Sequence, residues 1–339
     1  MVTDSLPESR LRELSELGNK RPTEAFAALA NETRLAILLV LWDATEPDRP
    51  GPKTSPMDEA AVSFSDLYDR VEYSSSANFQ YHLQQLTGHF VRKTDSGYTL
   101  TTSAERILSV VLSGSMTGSP SFEDEPLDAV CMRCGGPTLA NYQDGVLVQR
   151  CADCEGIVRE FEEPKGVIAK EYRPPVGMQN RTPREFVQEG KTWDRLRRHA
   201  LIEGTCPDCS GTVTATLHVC ERHERPHDDI CDHCRRVHSV QAVFVCDVCK
   251  CSLKTGAWSA ILIDVAVIAF FHEHGLDTMA LEDNLEYGVL FDAIETVTVH
   301  SEDPLEVVVT VELDGDRLLV TLDDDASVTD VTEQSRHPL

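Results

Sequence analysis

The stretch CPDCSGTVTATLHVCERHERPHDDICDHCRRVHSVQAVFVCDVC, residues 206–249, decides how the middle of this chain folds. It contains four pairs of thiol or imidazole side chains, and two residues separate the members of each pair. Thiolates and imidazoles are ligands that zinc prefers, and two such pairs complete one tetrahedral site. We therefore expect two zinc ions here, bound by Cys206, Cys209, Cys220, His223, Cys231, Cys234, Cys246 and Cys249.

The segments between these pairs indicate which pairs share a metal. Residues 212–219 and 237–245 contain no Gly, Pro, Asn or Asp, and their alternation predicts continuous strands. A strand of eight residues spans about 26 Å, which separates the first pair from the second. We therefore expect a crossed arrangement, first pair with third and second with fourth, similar in topology to the cross-brace of RING-type domains. Alternative ligands are His218, His227, His233 or His238 in place of His223, and Cys251 in place of Cys249.

Two earlier Cys-x-x-Cys motifs predict a third metal site. The residues between them contain two predicted strands, 138–142 and 146–149, joined by the turn residues Gln143-Asp144-Gly145. Such a hairpin gathers four thiolates, as in a zinc ribbon, and leaves no open coordination position for catalysis. A redox dithiol is the alternative, but it usually lies on a strand-to-helix turn. The expected ligands are Cys131, Cys134, Cys151 and Cys154, which makes about three structural zinc ions per chain.

Composition and charge restrict the class of protein. The chain has 339 residues, enough for two to three domains, and a formal net charge of −26. Residues 256–339 hold 19 acidic and 2 basic side chains, so the first 255 residues are only mildly acidic. This acidity resembles the surface chemistry of halophilic proteins, and the Debye length in molar salt is about 3 Å. We expect no DNA contact from the last quarter, whereas the other segments can still bind DNA.

The sequence predicts a cytoplasmic location. Residues 1–20 lack the apolar run and small-residue cleavage site of a signal peptide. The longest apolar stretch, residues 257–271, contains Asp264 and is shorter than the roughly 20 residues of a membrane helix. We therefore expect reduced cysteines and no membrane partner.

The pattern of residues 22–115 predicts helices and one β-hairpin. A polar break at Asn31-Glu32-Thr33 divides an apolar stretch into two helices, and Ser65 is the expected cap of a short helix. Residues 43–62 are rich in Pro and Gly and predict a long loop. The expected elements are two helices within 23–42, helices 65–71, 75–87 and 103–112, and strands 90–93 and 98–100.

Two segments of this region resemble the ArsR-type winged helix-turn-helix transcription regulators. They are ALANETRLAILLVL, residues 28–41, and YHLQQLTGHFVRKTDSGYTLT, residues 81–101. The resemblance covers roughly residues 22–115. This chain departs from the family in its longer 43–62 loop and in a helix 65–71 without the thiolates of metal-sensing members. Metal sensing at that helix is therefore not expected.

The resemblance implies a DNA-recognition helix at residues 75–87. Phe79, Leu83 and Leu86 would face the core, which leaves a polar face for base edges and phosphates. Helix 103–112 would pair with its twin in a homodimer or pack within its own chain. The residues expected to contact double-stranded DNA are Ser75, Ser76, Asn78, Gln80, Tyr81, Gln84, Arg92 and Lys93.

The remaining sequence predicts further helices and a β-meander. Residues 182–204 predict one helix that buries Phe186, Trp193, Leu196 and Ala200. Its basic run, residues 195–199, is interpreted as a solvated face, with phosphate contact as the alternative. Residues 258–274 predict a buried helix, which is followed by strands 295–300, 305–313 and 317–322.

We therefore expect a multidomain α+β protein. It has an N-terminal winged helix, a central zinc ribbon and cross-brace-like zinc module, and a C-terminal helix plus antiparallel β-meander. The expected segments are an N-terminal extension (1–21), the winged helix (22–116), a linker (117–127), the ribbon (128–163), a connection and helix (164–204), the two-zinc Cys/His module (205–255), an acidic α+β domain (256–325) and a tail (326–339).

These features predict a DNA-binding transcriptional regulator that reads an operator as a homodimer. Structural zinc would support a sensing or interaction region, and the acidic C-terminal domain is a candidate surface for a protein partner. The alternative is a zinc-stabilised scaffold whose winged helix does not bind DNA. Because the sequence contains no Gly-rich phosphate loop, nucleophile elbow or His-Glu-x-x-His motif, we do not expect an enzyme.

Overall fold

The computed structural model describes residues 22–44, 61–114, 120–159, 165–223, 230–279 and 284–334. It divides the chain into two units, residues 1–117 and 118–339, and it is mixed α and β with four antiparallel sheets in its described part. The predicted N-terminal extension and most of the predicted 43–62 loop lie outside the described residues. Among the described helices, no single one is long and apolar enough to cross a membrane, and one pair passes that test only jointly, across an 83° bend.

The first unit consists of helices and one hairpin. Asn31 caps the second helix by accepting the backbone N–H of Arg34, which confirms the predicted break. The cap of the third helix is Ser63 and not Ser65, because the Ser63 hydroxyl accepts the N–H of Asp66. The elements are α1 (Pro22–Leu29), α2 (Glu32–Asp43), α3 (Phe64–Val71), α4 (Ser76–Leu86), β1 (Val91–Thr94), β2 (Gly97–Leu100) and α5 (Thr102–Leu112).

One hydrophobic core holds the first unit together. Phe79, Leu83 and Leu86 of α4 are buried in it, as the helical spacing predicts. The backbone of Val62 exchanges hydrogen bonds with Tyr98 at 3.0 and 2.9 Å and forms an isolated β-bridge beside the hairpin. Gly97 is required at this contact, because its φ is +147° and a Cβ there would collide with the Val62 carbonyl.

The second unit contains three sheets and several helices. Their bounds are β3 (Phe122–Val130), β4 (Pro137–Gln143), β5 (Val146–Cys151), β6 (Val167–Tyr172), α6 (Pro183–Glu189), α7 (Lys191–Ile202), β7 (Val213–Val219), β8 (Val240–Cys246), β9 (Ser252–Gly256), α8 (Val265–Glu273), α9 (Asn284–Ala293), β10 (Ile294–Glu302), β11 (Leu305–Leu313), β12 (Asp316–Leu322) and β13 (Val328–Gln334). Two 3-10 helices, Pro175–Met178 and Ala257–Ile263, complete it within the described residues.

The first sheet of this unit is an antiparallel meander in the order β3-β4-β5-β6. The predicted hairpin forms its centre, and Asp144 and Gly145 adopt the positive φ values of the expected turn. The predicted linker 117–127 is partly wrong, because β3 begins at Phe122 and pairs with β4. α6 covers one face of the sheet through Phe186, which packs on Tyr142 at 5.1 Å between ring centroids.

The other two sheets share a single hydrophobic core. It extends from Leu201 to Ala326 and includes Phe244 of the β7-β8-β9 sheet and Val309 of the β10-β11-β12-β13 sheet. The predicted tail is wrong for residues 328–334, since these residues form β13, which pairs with β12. The two segments predicted as a zinc module and an acidic domain thus bury their apolar side chains together.

Two predicted helices are each interrupted by one residue. The helix expected over 182–204 divides at Gly190, and Trp193 and Leu196 are 39% and 63% exposed, so the predicted buried stripe is wrong for these two. The helix expected over 258–274 begins as a 3-10 helix, because Asp264 caps α8 by accepting the N–H groups of Ala266 and Val267. Local caps and tertiary packing therefore override the apolar periodicity.

The orientation of α4 can be tested with two neighbouring substitutions. Leu83→Ala should lower the free energy of unfolding of the first unit by about 2–5 kcal/mol, because Leu83 is 1% exposed. Gln84→Ala, on the exposed face, should change it by less than about 0.5 kcal/mol. Denaturant unfolding followed by circular dichroism measures both, and equal losses would show that the helix is rotated.

Candidate metal centres and helix surface

Four of the ligand pairs lie on the same kind of tight turn. The residue after the second ligand has a left-handed backbone, with φ between 58° and 70°, and its N–H donates to the carbonyl of the first cysteine. This turn directs both thiols of a Cys-x-x-Cys motif to one side of the chain. The donors and acceptors are Gly135 and Cys131 (2.9 Å), Ser210 and Cys206 (2.8 Å), Arg235 and Cys231 (2.8 Å), and Lys250 and Cys246 (3.2 Å).

The first metal centre lies at one end of the β4-β5 hairpin. Its Sγ atoms are 3.7 Å apart between Cys131 and Cys154, and 3.5 Å apart between Cys134 and Cys151. A disulfide requires about 2.05 Å. Sulfurs at the corners of a tetrahedral zinc site, with bonds of about 2.3 Å, lie about 3.8 Å apart. The four predicted thiols therefore form a cluster that can hold a metal ion such as zinc.

The second metal centre is formed by Cys206, Cys209, Cys246 and Cys249. Both measured Sγ–Sγ distances, Cys206 to Cys249 and Cys209 to Cys246, are 3.5 Å. The N–H groups of Cys249 and Val248 point at the Cys246 sulfur and lower the pKa of this thiol to about 6. Such donors stabilise a thiolate, which is the form that binds metal.

The third metal centre is formed by Cys220, His223, Cys231 and Cys234. The imidazole Nε2 of His223 is 3.0 Å from the carbonyl of Val237, so it must carry the proton and donate it. The unprotonated Nδ1 then faces the cluster, 3.4 Å from the Cys234 sulfur. A backbone acceptor of this kind commonly orients a metal-binding histidine. Of the alternatives, His218, His233 and His238 are outside the cluster, and His227 lies outside the described residues.

The crossed pairing predicted for the last four ligand pairs is wrong. The first pair joins the fourth and the second joins the third, so the pairs are nested. The reason is that β7 and β8 are antiparallel partners, with Val213 opposite Cys246 and Val219 opposite Val240. The two strands are continuous as predicted, but they run side by side and bring the outer pairs together at one end.

Cys251 lies beside the second centre without displacing Cys249. Its sulfur, that of Cys206 and the Asp208 carboxylate form a further close group. Arg197 donates to the Cys251 sulfur at 2.9 Å and forms an ion pair with Asp208. Burial raises the pKa of Cys251 to about 12. Arg197 therefore supports the metal centre, and this member of the basic run is not simply solvated.

The side chains predicted to contact DNA lie on α4, on its cap residue and on β1 of the first unit. Ser75 caps α4 by accepting the N–H of Asn78. Ser75 and Arg92 are half-buried, and the other members of the set are exposed on α4 and β1: Ser76, Asn78, Gln80, Tyr81, Gln84 and Lys93.

Sequence reasoning missed a cleft in the second unit. Its volume is about 410 Å³, and its lining comes from segments between Met132 and Phe291. Only the basic run of α7 signals it in the sequence. The other basic side chains of the lining lie on strands and turns far apart in the chain, so no local pattern could identify them.

The nested pairing can be tested by counting metal ions in double variants. After a chelator wash, Cys209→Ser with Cys246→Ser should lose one metal ion per chain, because both residues belong to the second centre. Cys209→Ser with Cys234→Ser should lose two, because these residues belong to different centres. Native mass spectrometry gives the counts, and the reverse result would establish the crossed pairing.

Comparison with known proteins finds one matching family model in each unit. A domain of unknown function, DUF7347, matches residues 22–111, and another, DUF7351, matches residues 128–328. No curated protein and no solved structure matches the chain. Because the second match covers more than half of the chain, the protein belongs to the DUF7351 family.

Proposed function

We propose that this protein is a DNA-binding transcriptional regulator. The first unit would act as a winged helix of the ArsR type, with α4 as the recognition helix. The second unit would carry three structural zinc ions, the first in a zinc ribbon. Its role would be that of a sensing or interaction region.

The observation that carries this proposal is the charge of the α4 surface. Residues 73–94 contain no Asp or Glu, and this is the longest acid-free run in a chain with 57 acidic side chains. The exposed side chains of α4 are mostly amides and hydroxyls. Amides can pair with adenine in the major groove, and carboxylates would be repelled by phosphate. A polar helix face without carboxylates therefore favours the interpretation that α4 contacts DNA over the interpretation that this face is only solvated.

The arrangement around α4 supports the same proposal. Four residues, 72–75, connect α3 to α4, which is the turn length of a helix-turn-helix. The β1-β2 hairpin follows directly, and the exposed Lys93 ammonium lies on it. A cation at this position is suited to a phosphate next to the groove that α4 would enter.

The exposed side of α5 supports a homodimer. Ala104 and Leu108 are buried in the core of the first unit, but Val110 and Leu112 are 49% and 44% exposed. Apolar side chains that remain exposed near the end of a helix are suited to contact with a second copy of the chain. Two recognition helices would then read two half-sites of one operator.

The metal clusters support a structural role for zinc. Each centre has four protein ligands, which completes a tetrahedral shell. Cys206 and Cys246 are also part of the hydrophobic core that residues 201–326 share. Metal binding at the second centre would therefore contribute to the folding of the whole region.

DNA recognition can be tested with Gln80→Ala. We expect operator binding to weaken by about 1–3 kcal/mol, which corresponds to loss of one base contact, with no change in unfolding temperature. Operators would first be identified by chromatin immunoprecipitation with sequencing, and affinity would then be measured by fluorescence anisotropy in molar KCl.

Gln85→Ala is the matched control, because Gln85 is an exposed amide of the same helix outside the predicted contact set. It should leave affinity within experimental error of the unchanged protein. Absence of any enriched DNA, or equal effects of both substitutions, would contradict DNA reading by α4. The scaffold alternative would then be favoured.

A further inference from the structure

The cleft of the second unit concentrates positive charge in a strongly acidic chain. Residues 118–339 contain 41 acidic and 20 basic side chains. The described lining of the cleft reverses this balance, with seven basic side chains against the two carboxylates of Glu171 and Asp194. The basic members are Lys170, Arg173, Lys191, Arg195, Arg198, Arg236 and Lys254. This excess of positive charge makes the cleft a candidate site for an anion.

The two carboxylates of the cleft interact mainly with one buried guanidinium. Arg173 is 2% exposed, lies 3.2 Å from Glu171 and forms an ion pair with Asp194. Burial and the Glu171 carboxylate raise the pKa of Asp194 to about 8, against the opposing effect of Arg173. Among the described residues, neither of these carboxylates forms an ion pair with Arg195.

Two arginines of α7 provide the most direct sites for an anion. Arg195 makes no hydrogen bond or ion pair with any residue in the described part of the chain, and it is half-buried at the cleft. The carboxylate partner of Arg198 within the described ranges, Glu171, is 3.9 Å away. Guanidinium groups bind phosphate through two parallel N–H donors.

The floor of the cleft contains hydroxyl groups that lack partners among the described residues. Ser259 is 0% exposed and Thr278 is 9% exposed, and neither side-chain oxygen makes a hydrogen bond there. Both residues line the cleft. A buried hydroxyl without a hydrogen-bond partner is destabilising, so a ligand with a polar group within the cleft would relieve this destabilisation.

One wall of the cleft is aromatic. The rings of His238, Trp258 and Phe291 contact one another, with centroid distances of 5.4, 5.9 and 6.4 Å. All three residues line the cleft. Aromatic walls bind flat rings by stacking or edge contacts. The cleft therefore combines a cationic side, a polar floor and an apolar wall.

We infer that this cleft binds a small organic phosphate that carries a flat ring. Its volume of about 410 Å³ lies in the range of small-molecule sites, about 300–1,000 Å³. The surplus of basic side chains suits a ligand with more than one negative charge. Concave walls and a buried floor favour a small molecule over a nucleic acid duplex. The inference does not depend on DNA binding by the first unit.

Calorimetric titration of the full-length, metal-loaded protein with ADP tests this inference. ADP should bind one per chain, and more tightly than pyrophosphate or adenosine, because only ADP engages both the cations and the aromatic wall. Arg195→Gln with Arg198→Gln should weaken ADP binding about tenfold or more. Arg184→Gln is the matched control, because Arg184 is exposed, pairs with Asp128 and lies outside the cleft.

A second measurement locates the ligand without altering the cleft. The chain has three tryptophans, Trp42, Trp193 and Trp258, and fluorotryptophan labelling gives each a ¹⁹F resonance. ADP should shift the Trp258 resonance and leave that of Trp42 unchanged. No binding of ADP at millimolar concentration, binding that the double variant leaves unchanged, or an unmoved Trp258 resonance would overturn the inference. A short DNA duplex that shifts Trp258 and displaces ADP would instead make the cleft a nucleic-acid site.

Discussion

Antiparallel pairing of β7 with β8 is the constraint on which the second unit depends. The two strands are opposite each other over seven residues, from Val213 with Cys246 to Val219 with Val240. The ligand pair before β7 therefore meets the pair after β8, and the two inner pairs meet at the other end. Since a strand rises about 3.3 Å per residue, the two centres lie roughly 20 Å apart along one ribbon.

The four-cysteine cluster at the end of the ribbon where β8 ends is continuous with the hydrophobic core. Cys206 and Cys246 are buried among apolar residues of both neighbouring sheets. The backbone N–H donors that lower the pKa of Cys246 belong to its own tight turn, so local structure stabilises the thiolate. Arg197 then connects this end of the ribbon to α7 through Asp208 and Cys251. The same helix carries Arg195 and Arg198 toward the cleft, so one helix serves both sites.

Sequence analysis succeeded where the information was local. The break at Asn31, the turn at Asp144-Gly145, the core face of α4 and the six ligand pairs each depend on residues close in the chain. It failed where partners are distant. Which ligand pairs share a metal site depends on the direction of β7 and β8. The formation of β13 depends on its hydrogen bonds to β12. The exposure of Leu196 depends on which residues pack against α7. The cleft is lined by strands and turns that are distant in the sequence and come together in the folded chain.

The core shared from Leu201 to Ala326 also bears on how such a chain can evolve. A recombination point near residue 255 would separate Phe244 from Val309 and leave apolar surface on both fragments. Exchange of modules between proteins is therefore disfavoured inside this region. The cysteine-bearing ribbon and the acidic sheet should be inherited as one block, and a single family profile does cover residues 128–328.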